Sequence, residues 1–324
     1  MKKLSVLFIC LCLMAGLMAT SCQRQDRDDV IAINFFSGTP GGTWYPLAVA
    51  LAEIWQREIT EYRLDFLHAD AGGSGNLVAI QNGIAQVAVS TSTSIGDGLI
   101  GNDPFTERTT RVYGLAALNP EPFGLFVWAD SGIYTLHDMR GRRIAPMPRG
   151  NTTEAIVRRV LTSIGMTYDD FTRVEFVHRT EALNQMRDGH IDIHGMTFAK
   201  SGDASVMELT MSRPIRVLDI PPDIQARIGE ISPGIFPDIL PAGAYRGVDQ
   251  DVNLIGQTLA LAVCATLPES LVYLMTKTMV ANWAEMQTVS AAMARLQPQD
   301  LANDVLGTAF HPGALRYFRE RGWL

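Results

Sequence analysis

The sequence predicts an α/β fold with mainly parallel sheets, and three observations carry that reading. Short apolar runs alternate with helical patterns along the whole chain, two early strands end in glycine-rich turns that open straight into helices, and no cysteine framework or long repeat suggests another class. Strands are expected at 31–37, 63–69, 86–91, 113–118, 123–129, 143–147, 173–178, 191–197, 215–220 and 254–264. Helices are expected at 46–58, 75–82, 152–164, 181–188, 203–210 and 268–284. In 152–164, Ala155, Ile156, Val160, Leu161 and Ile164 recur at helical spacing while Glu154, Arg158 and Arg159 face away.

The first strand and its turn are the most informative stretch. IAINFFSG (31–38) runs into TPGGTWYPLAVALAEIW (39–55), with Thr43 near the helix start and Pro46 in its first turn. Glycine lets backbone approach a ligand, and a helix start offers unpaired N–H groups at the positive end of its dipole. AGGSGN (71–76) repeats the arrangement after RLDFLHAD (63–70). Ligands of open α/β sheets sit beyond the carboxyl ends of strands. The candidate binding residues there are Gly42, Thr43, Trp44 and Tyr45, then Gly73, Ser74 and Asn76, then Thr91 and Ser92 of the run VSTSTS. The hydroxyls orient a polar solute without burying a charge, and some of them cap the following turn. Later in the chain, PMPRGNTTEA (146–155) adds Arg149, Asn151, Thr152 and Thr153, with Arg149 as a bidentate carboxylate clamp. Thr197, at the next strand end, completes the set, and Arg179 with Thr180 is a second candidate pair. Hydroxyls, amides, helix starts and arginine suit an anionic or zwitterionic solute better than a sugar.

The N-terminus speaks to location. Lys2 and Lys3 precede an apolar run from Leu4 to Ala19, and Ala-Thr-Ser-Cys follows, so residues 1–21 read as a secretory signal. The last four residues resemble a lipobox, with Cys22 as the lipidated first residue and 22–30 as a polar tether. Cys10 and Cys12 belong to the signal, leaving Cys264 as a small core residue in LALAVCATL. Net charge is −7, with mixed signs and no basic stripe, which argues against nucleic acid as a partner.

Two Pro/Gly-rich places, NPEPFG (119–124) and SPGIFPDILPAGAYRG (232–247), look like crossings between domains. The strand–GTPGGTWYPLAVALAEIW segment, AGGSGNLVAIQNGIAQVAVSTSTS, RGNTTEAIVRRVLTSIGMTYDDF, LPAGAYRGVDQDV and FHPGALRYFRERG, in that order, resemble the TAXI family of TRAP-transporter solute receptors from about residue 31 to the end. The resemblance implies a type II periplasmic-binding-protein fold: two α/β lobes joined by a two-strand hinge. It also implies lobe 1 from 31–120 plus 241–324, and lobe 2 from 121–240. The implied function is extracytoplasmic capture of a small carboxylate or amino acid, glutamate-like, by hinge closure. Delivery would be to the membrane subunits of a TRAP-type permease driven by an ion gradient.

Rival chemistry is sparse. His190, Asp192 and His194 alternate, and histidines two apart on a strand can share a metal, but the family pattern fills this slot without histidine, and the expectation is no metal. No GxSxG elbow, P-loop or HExxH is present, and AGGSGN lacks full GxGxxG spacing, so no cofactor or catalytic constellation is expected. The alternatives to transport are a sensory binding protein that docks on a membrane receptor or kinase and, further off, an enzyme on the same fold, for which Lys200 and Asp97 are the only speculative groups.

Overall fold

The computed structural model describes residues 30–38, 44–289, 292–303 and 309–324. The expected signal, Cys22 and nearly all of the tether lie outside the described residues, as do Gly42 and Thr43. Val30, assigned to the tether from sequence, opens the first strand.

Ten strands form one sheet, and the chain is mixed α/β as expected. They are β1 (Val30–Phe36), β2 (Arg63–Ala69), β3 (Val87–Thr91), β4 (Val112–Trp128), β5 (Arg143–Ala145), β6 (Arg173–Val174), β7 (Ile193–Thr197), β8 (Ile215–Val217), β9 (Phe236–Leu240) and β10 (Val252–Cys264). Their order is β2-β1-β3-β10-β4-β7-β5-β6, with β8 beside β4 and β9 beside β10. At one end β1 runs parallel to β2 and β3, and at the other β5 runs parallel to β6 and β7. The long strands β4 and β10 pair antiparallel with each other and with their flanking strands, passing through both halves.

The helices are α1 (Trp44–Glu58), α2 (Gly72–Gln81), α3 (Ser92–Ile100), α4 (Thr152–Ser163), α5 (Arg179–Arg187), α6 (Ala204–Ser212), α7 (Pro222–Ile231), α8 (Glu269–Ala281), α9 (Trp283–Val289) and α10 (Pro312–Glu320). Helices α3, α7 and α10 and most of α9 lie outside the helical ranges expected from sequence. In α3 the hydroxyl run and two glycines look like a loop, yet Thr91 caps it by accepting from the Ser94 N–H, and Ile95 anchors it in the core. Helix α7 lies just ahead of a segment that its prolines and glycines mark as a linker. Strand β9 lies inside that segment, where Pro237 is tolerated because β9 pairs only with β10.

Among the described residues the apolar side chains gather in four clusters, which fall into two groups. Ile33, Phe35, Trp55, Val87, Val89 and Leu115 pack with Leu261, Val263 and helices α8 to α10. Phe123, Leu125, Ile144, Val157, Val160 and Ile193 form a second group, extended by Phe126, Trp128 and Met186. These groups are the two lobes. Tyr245, Val248 and Leu254, which the sequence reading places with lobe 1, pack in the second group, so the chain crosses back within β10. NPEPFG, read from sequence as a crossing between domains, is the middle of β4. The Pro122 carbonyl accepts from Phe198 N, so its nitrogen faces the same side, away from β10, where no ladder bond needs its missing N–H. One register shift falls between Thr258 and Ala260 of β10. Between Asn119–Glu121 and Gln257–Thr258 the sheet narrows to two strands among the described residues. That waist is the two-strand hinge.

Candidate functional site

Three helix starts meet where the lobes touch. Asn151 caps α4 by accepting from Thr153 N at 2.9 Å, and Thr91 caps α3. Ala71 at the start of α2 supplies no side-chain cap, and a Cβ at Gly72 would come within 3.5 Å of Asn151 Cα. Before α4 the chain bends sharply: Met147 holds φ of 83°, rare for a residue with a side chain, and Gly150 holds the same value. The bend turns Asn151 to Thr153 toward the other lobe.

The hydroxyls then form a chain across the lobe boundary. Ser74 Oγ lies 2.9 Å from Ser94 Oγ, which lies 2.7 Å from Thr152 Oγ1 and also accepts from Thr91 Oγ1 at 3.3 Å. All four residues are buried. Gly73 must be glycine here, because a Cβ would strike Thr152 Oγ1 and press on Trp44 and Ser94. Ser92 makes a second crossing: its Oγ donates to Gly234 O at 2.7 Å and accepts from Thr258 N at 2.9 Å. Gly234 packs so tightly on the Ser92 and Thr93 backbone that any Cβ would collide.

One helical turn further along α3, the contact becomes ionic. Asp97 Oδ2 accepts from Arg159 Nη2 at 2.6 Å, and both side chains are at least nine-tenths buried. Ser232 Oγ donates to Asp97 at 3.0 Å, and Arg158 pairs with Asp103 at 2.6 Å. Burial raises the Asp97 carboxyl pKa and lowers that of Arg159, with each partner opposing the shift of the other.

Trp44 ties the hydroxyl chain to the hinge. Its ring edge abuts the space at Gly73, and its indole N–H donates to Glu121 Oε1 at 3.0 Å. Glu121 stands opposite Gln257 in the β4–β10 register, and Gln257 Nε2 approaches Glu121 Oε2 at 3.4 Å. Desolvation raises the Glu121 pKa above the ordinary carboxylate range, against the lowering effect of the Trp44 and Gln257 hydrogen bonds and of Arg179. Arg179 is itself committed, bonding Asp203 at 2.6 Å and Thr197 O at 3.3 Å.

Gly73, Ser74, Thr91, Ser92 and Thr152 thus converge, with Trp44 beside them. The other predicted residues spend their contacts elsewhere. Asn76 bolts loops together, donating to Ser37 O and Val89 O and accepting from Ala71 N. Tyr45 packs edge-on against His68, 5.8 Å between ring centres. Arg149 is exposed and stacks over Phe176 at 4.1 Å, with Tyr168 beside it. Thr197 offers its carbonyl to Arg179. Thr153 is buried and gives its N–H to the cap.

The histidine motif runs into an interior strand. β7 lies between β4 and β5, and His194 is wholly buried with Nδ1 2.9 Å from Ala145 O. Asp192 bonds Arg143, and among the described residues no group of three His, Cys, Asp or Glu side chains is placed to hold a metal. Lys200 pairs with Asp238. His311 caps α10 through Gly313 N, and Cys264 is a buried free thiol. No helix among the described residues is long and apolar enough to cross a membrane.

The NMT1-like family model matches residues 35–322. The chain belongs to the NMT1-like family. Among solved structures, MatC from Rhodopseudomonas palustris with bound malate aligns with a TM-score of 0.54 at 13% identity, covering 88% of this chain and 97% of that one. XAC2383 from Xanthomonas citri bound to ATP aligns with a TM-score of 0.52 at 11% identity, covering 90% and 98%. At such identities the likeness is one of fold.

The sequence reading of this NMT1-like chain missed Glu121, Gln257 and Ser94. Glu121 hides in a Pro-rich stretch read as a crossing, and Gln257 in an apolar strand. A lone amide or carboxylate within a strand that is otherwise buried on both faces was the available signal.

Proposed function

We propose that this protein is a solute-binding receptor that captures a small carboxylate or amino acid by closing its lobes over the hinge. The observation that carries the reading is the convergence of three helix starts and a hydroxyl chain from both lobes beside a two-strand waist. Helix starts favour an anion, and neutral hydroxyls orient it without a competing charge. In this reading the contacts between the lobes, such as Ser94–Thr152 and Asp97–Arg159, form on closure, and a bound solute shifts the population toward it. In this reading the chain is exported and lipid-anchored at Cys22, acts without turnover, and hands its solute to a TRAP-type permease, as the TAXI-like motifs suggest.

Native mass spectrometry of the mature chain, followed by denaturation and identification of what is released, tests the capture step. A stoichiometric amino acid or carboxylate is the expected result. A chemically altered ligand would sink the receptor reading. Co-purification with multi-spanning permease subunits, abolished when the closed surface is disrupted, tests the delivery step.

A further inference from the structure

The hinge carries an acceptor pair that feels the charge of Arg179, whose buried Nε has no hydrogen-bond partner, but makes no ion pair with it. Glu121 and Gln257 face each other at the narrowest part of the sheet, within reach of both lobes. Glu121 receives the Trp44 indole N–H and a long contact from the Gln257 amide nitrogen, and among the described residues it has no ion-pair partner. The nearby cation, Arg179, is held by Asp203 and Thr197 O. Gln257 is 1% exposed, its Nε2 points at Glu121, and its Oε1 has no hydrogen-bond partner. Turning the amide over would set oxygen against carboxylate, so this orientation is the electrostatically sound one. A half-buried carboxylate beside a fully buried orphan amide oxygen is costly to maintain unless something with donors and positive charge meets it. The hydroxyl chain and helix starts, on the far edge of Trp44, have the opposite polarity and suit a carboxylate.

Building on the receptor reading, we propose that Glu121 and Gln257 read an ammonium group of the solute. The protein then selects an α-amino acid over the acid of the same skeleton that lacks the amine. An ammonium brings three donors and a positive charge, and it reaches both acceptors at once. A 2-hydroxy acid brings one donor and no charge, and a 2-oxo acid brings neither.

The test is calorimetry on the mature chain with matched probes: L-glutamate, L-glutamine and L-leucine, each against its 2-hydroxy and 2-oxo analogue. At least one amino acid should bind ten times or more tighter than its analogues. Glu121→Gln retains an acceptor for Trp44 and should erase that preference, weakening the amino acid tenfold or more while the hydroxy acid changes little. Gln257→Met removes the orphan amide oxygen together with the long Nε2 contact to Glu121 and should narrow the preference; it carries the test if Glu121→Gln fails to fold. A hydroxy or oxo acid that binds as tightly as its amino acid would overturn the ammonium subsite and leave the receptor reading intact. So would a Glu121→Gln loss shared equally by both. If none of the probes binds and no solute co-purifies, the receptor reading itself fails, and the subsite with it.

Discussion

The same two helices, α3 and α4, meet twice, and the two meetings differ in kind. Near their starts they touch through neutral hydroxyls, Ser94 on Thr152; further along they touch through the buried ion pair of Asp97 and Arg159. A hydroxyl can donate or accept and can re-aim itself around whatever it meets, so the first contact is adaptable. The second is not. A buried ion pair is weak evidence for net stability, but removing one member is costly, so it registers one arrangement of the lobes. The contrast suggests a division of labour in which the hydroxyl end faces the solute and the ionic end fixes the closed geometry.

The largest test of that contrast removes the rigid contact. Asp97→Ala leaves Arg159 buried without its partner and should destabilise the closed form by about 3–5 kcal/mol. Small-angle scattering should then report a larger radius of gyration for the variant than for the parent. An unchanged radius would show that the hydroxyl contacts alone hold the lobes together.

Acid is an obvious way to challenge an ionic contact, but His194 confounds it and must be separated. His194 belongs to neither contact, and burial holds its pKa down to about 4. Its unfolded value is about 6.5, so between those values the unfolded chain binds the extra proton and folding stability rises with pH. The contribution is fully present above about pH 6.5 and is lost as pH falls toward 4, amounting to about 3 kcal/mol. His194→Asn, whose amide can still donate to Ala145 O, should flatten denaturant-melt stability across that window. A residual slope of the same size would assign the acid sensitivity to other groups, and not to Asp97, whose raised carboxyl pKa contributes a slope of the opposite sign.

A smaller change addresses the adaptable contact. Thr152→Val keeps the shape and removes the hydroxyl, leaving Ser94 with Ser74 and Thr91 as partners, and should cost about 1 kcal/mol in chemical denaturation. A loss as large as that of Asp97→Ala would break the distinction between the two meetings. Smallest of all is Arg149→Ala: an exposed stack over Phe176 is worth about 0.5–1 kcal/mol, and solute affinity should stay the same. A tenfold affinity loss would return Arg149 to the binding site as a carboxylate clamp.

How much of this was legible beforehand differs between the fold and the site. Local chemistry made the strands visible, since an apolar run such as VAVST or LALAVC can satisfy its side chains only inside a sheet, and the strand positions follow closely. Asn151 announced a helix start because capping is a contact between near neighbours in the chain. By contrast, α3 with its glycines reads as loop, and it is helical because Gly96 and Gly98 admit close neighbours from Gly234 and Thr109. Those neighbours are distant in the sequence for Gly234, so no local pattern reports them.

The site divides along the same line. By itself the sequence determined an α/β chain whose glycine- and hydroxyl-rich strand ends, at Gly73–Ser74, Thr91–Ser92 and Asn151–Thr153, suit a polar solute, because those properties reside in short stretches of chain. Only the tertiary structure decided that Ser94 meets Thr152, that Asp97 is answered by Arg159, that Arg149 stacks on Phe176, and that Glu121 faces Gln257 across the hinge. Each of those is a pairing across 27 to 136 residues. Which side chains meet depends on how β4 and β10 carry the chain between the lobes, and that is a property of the tertiary fold.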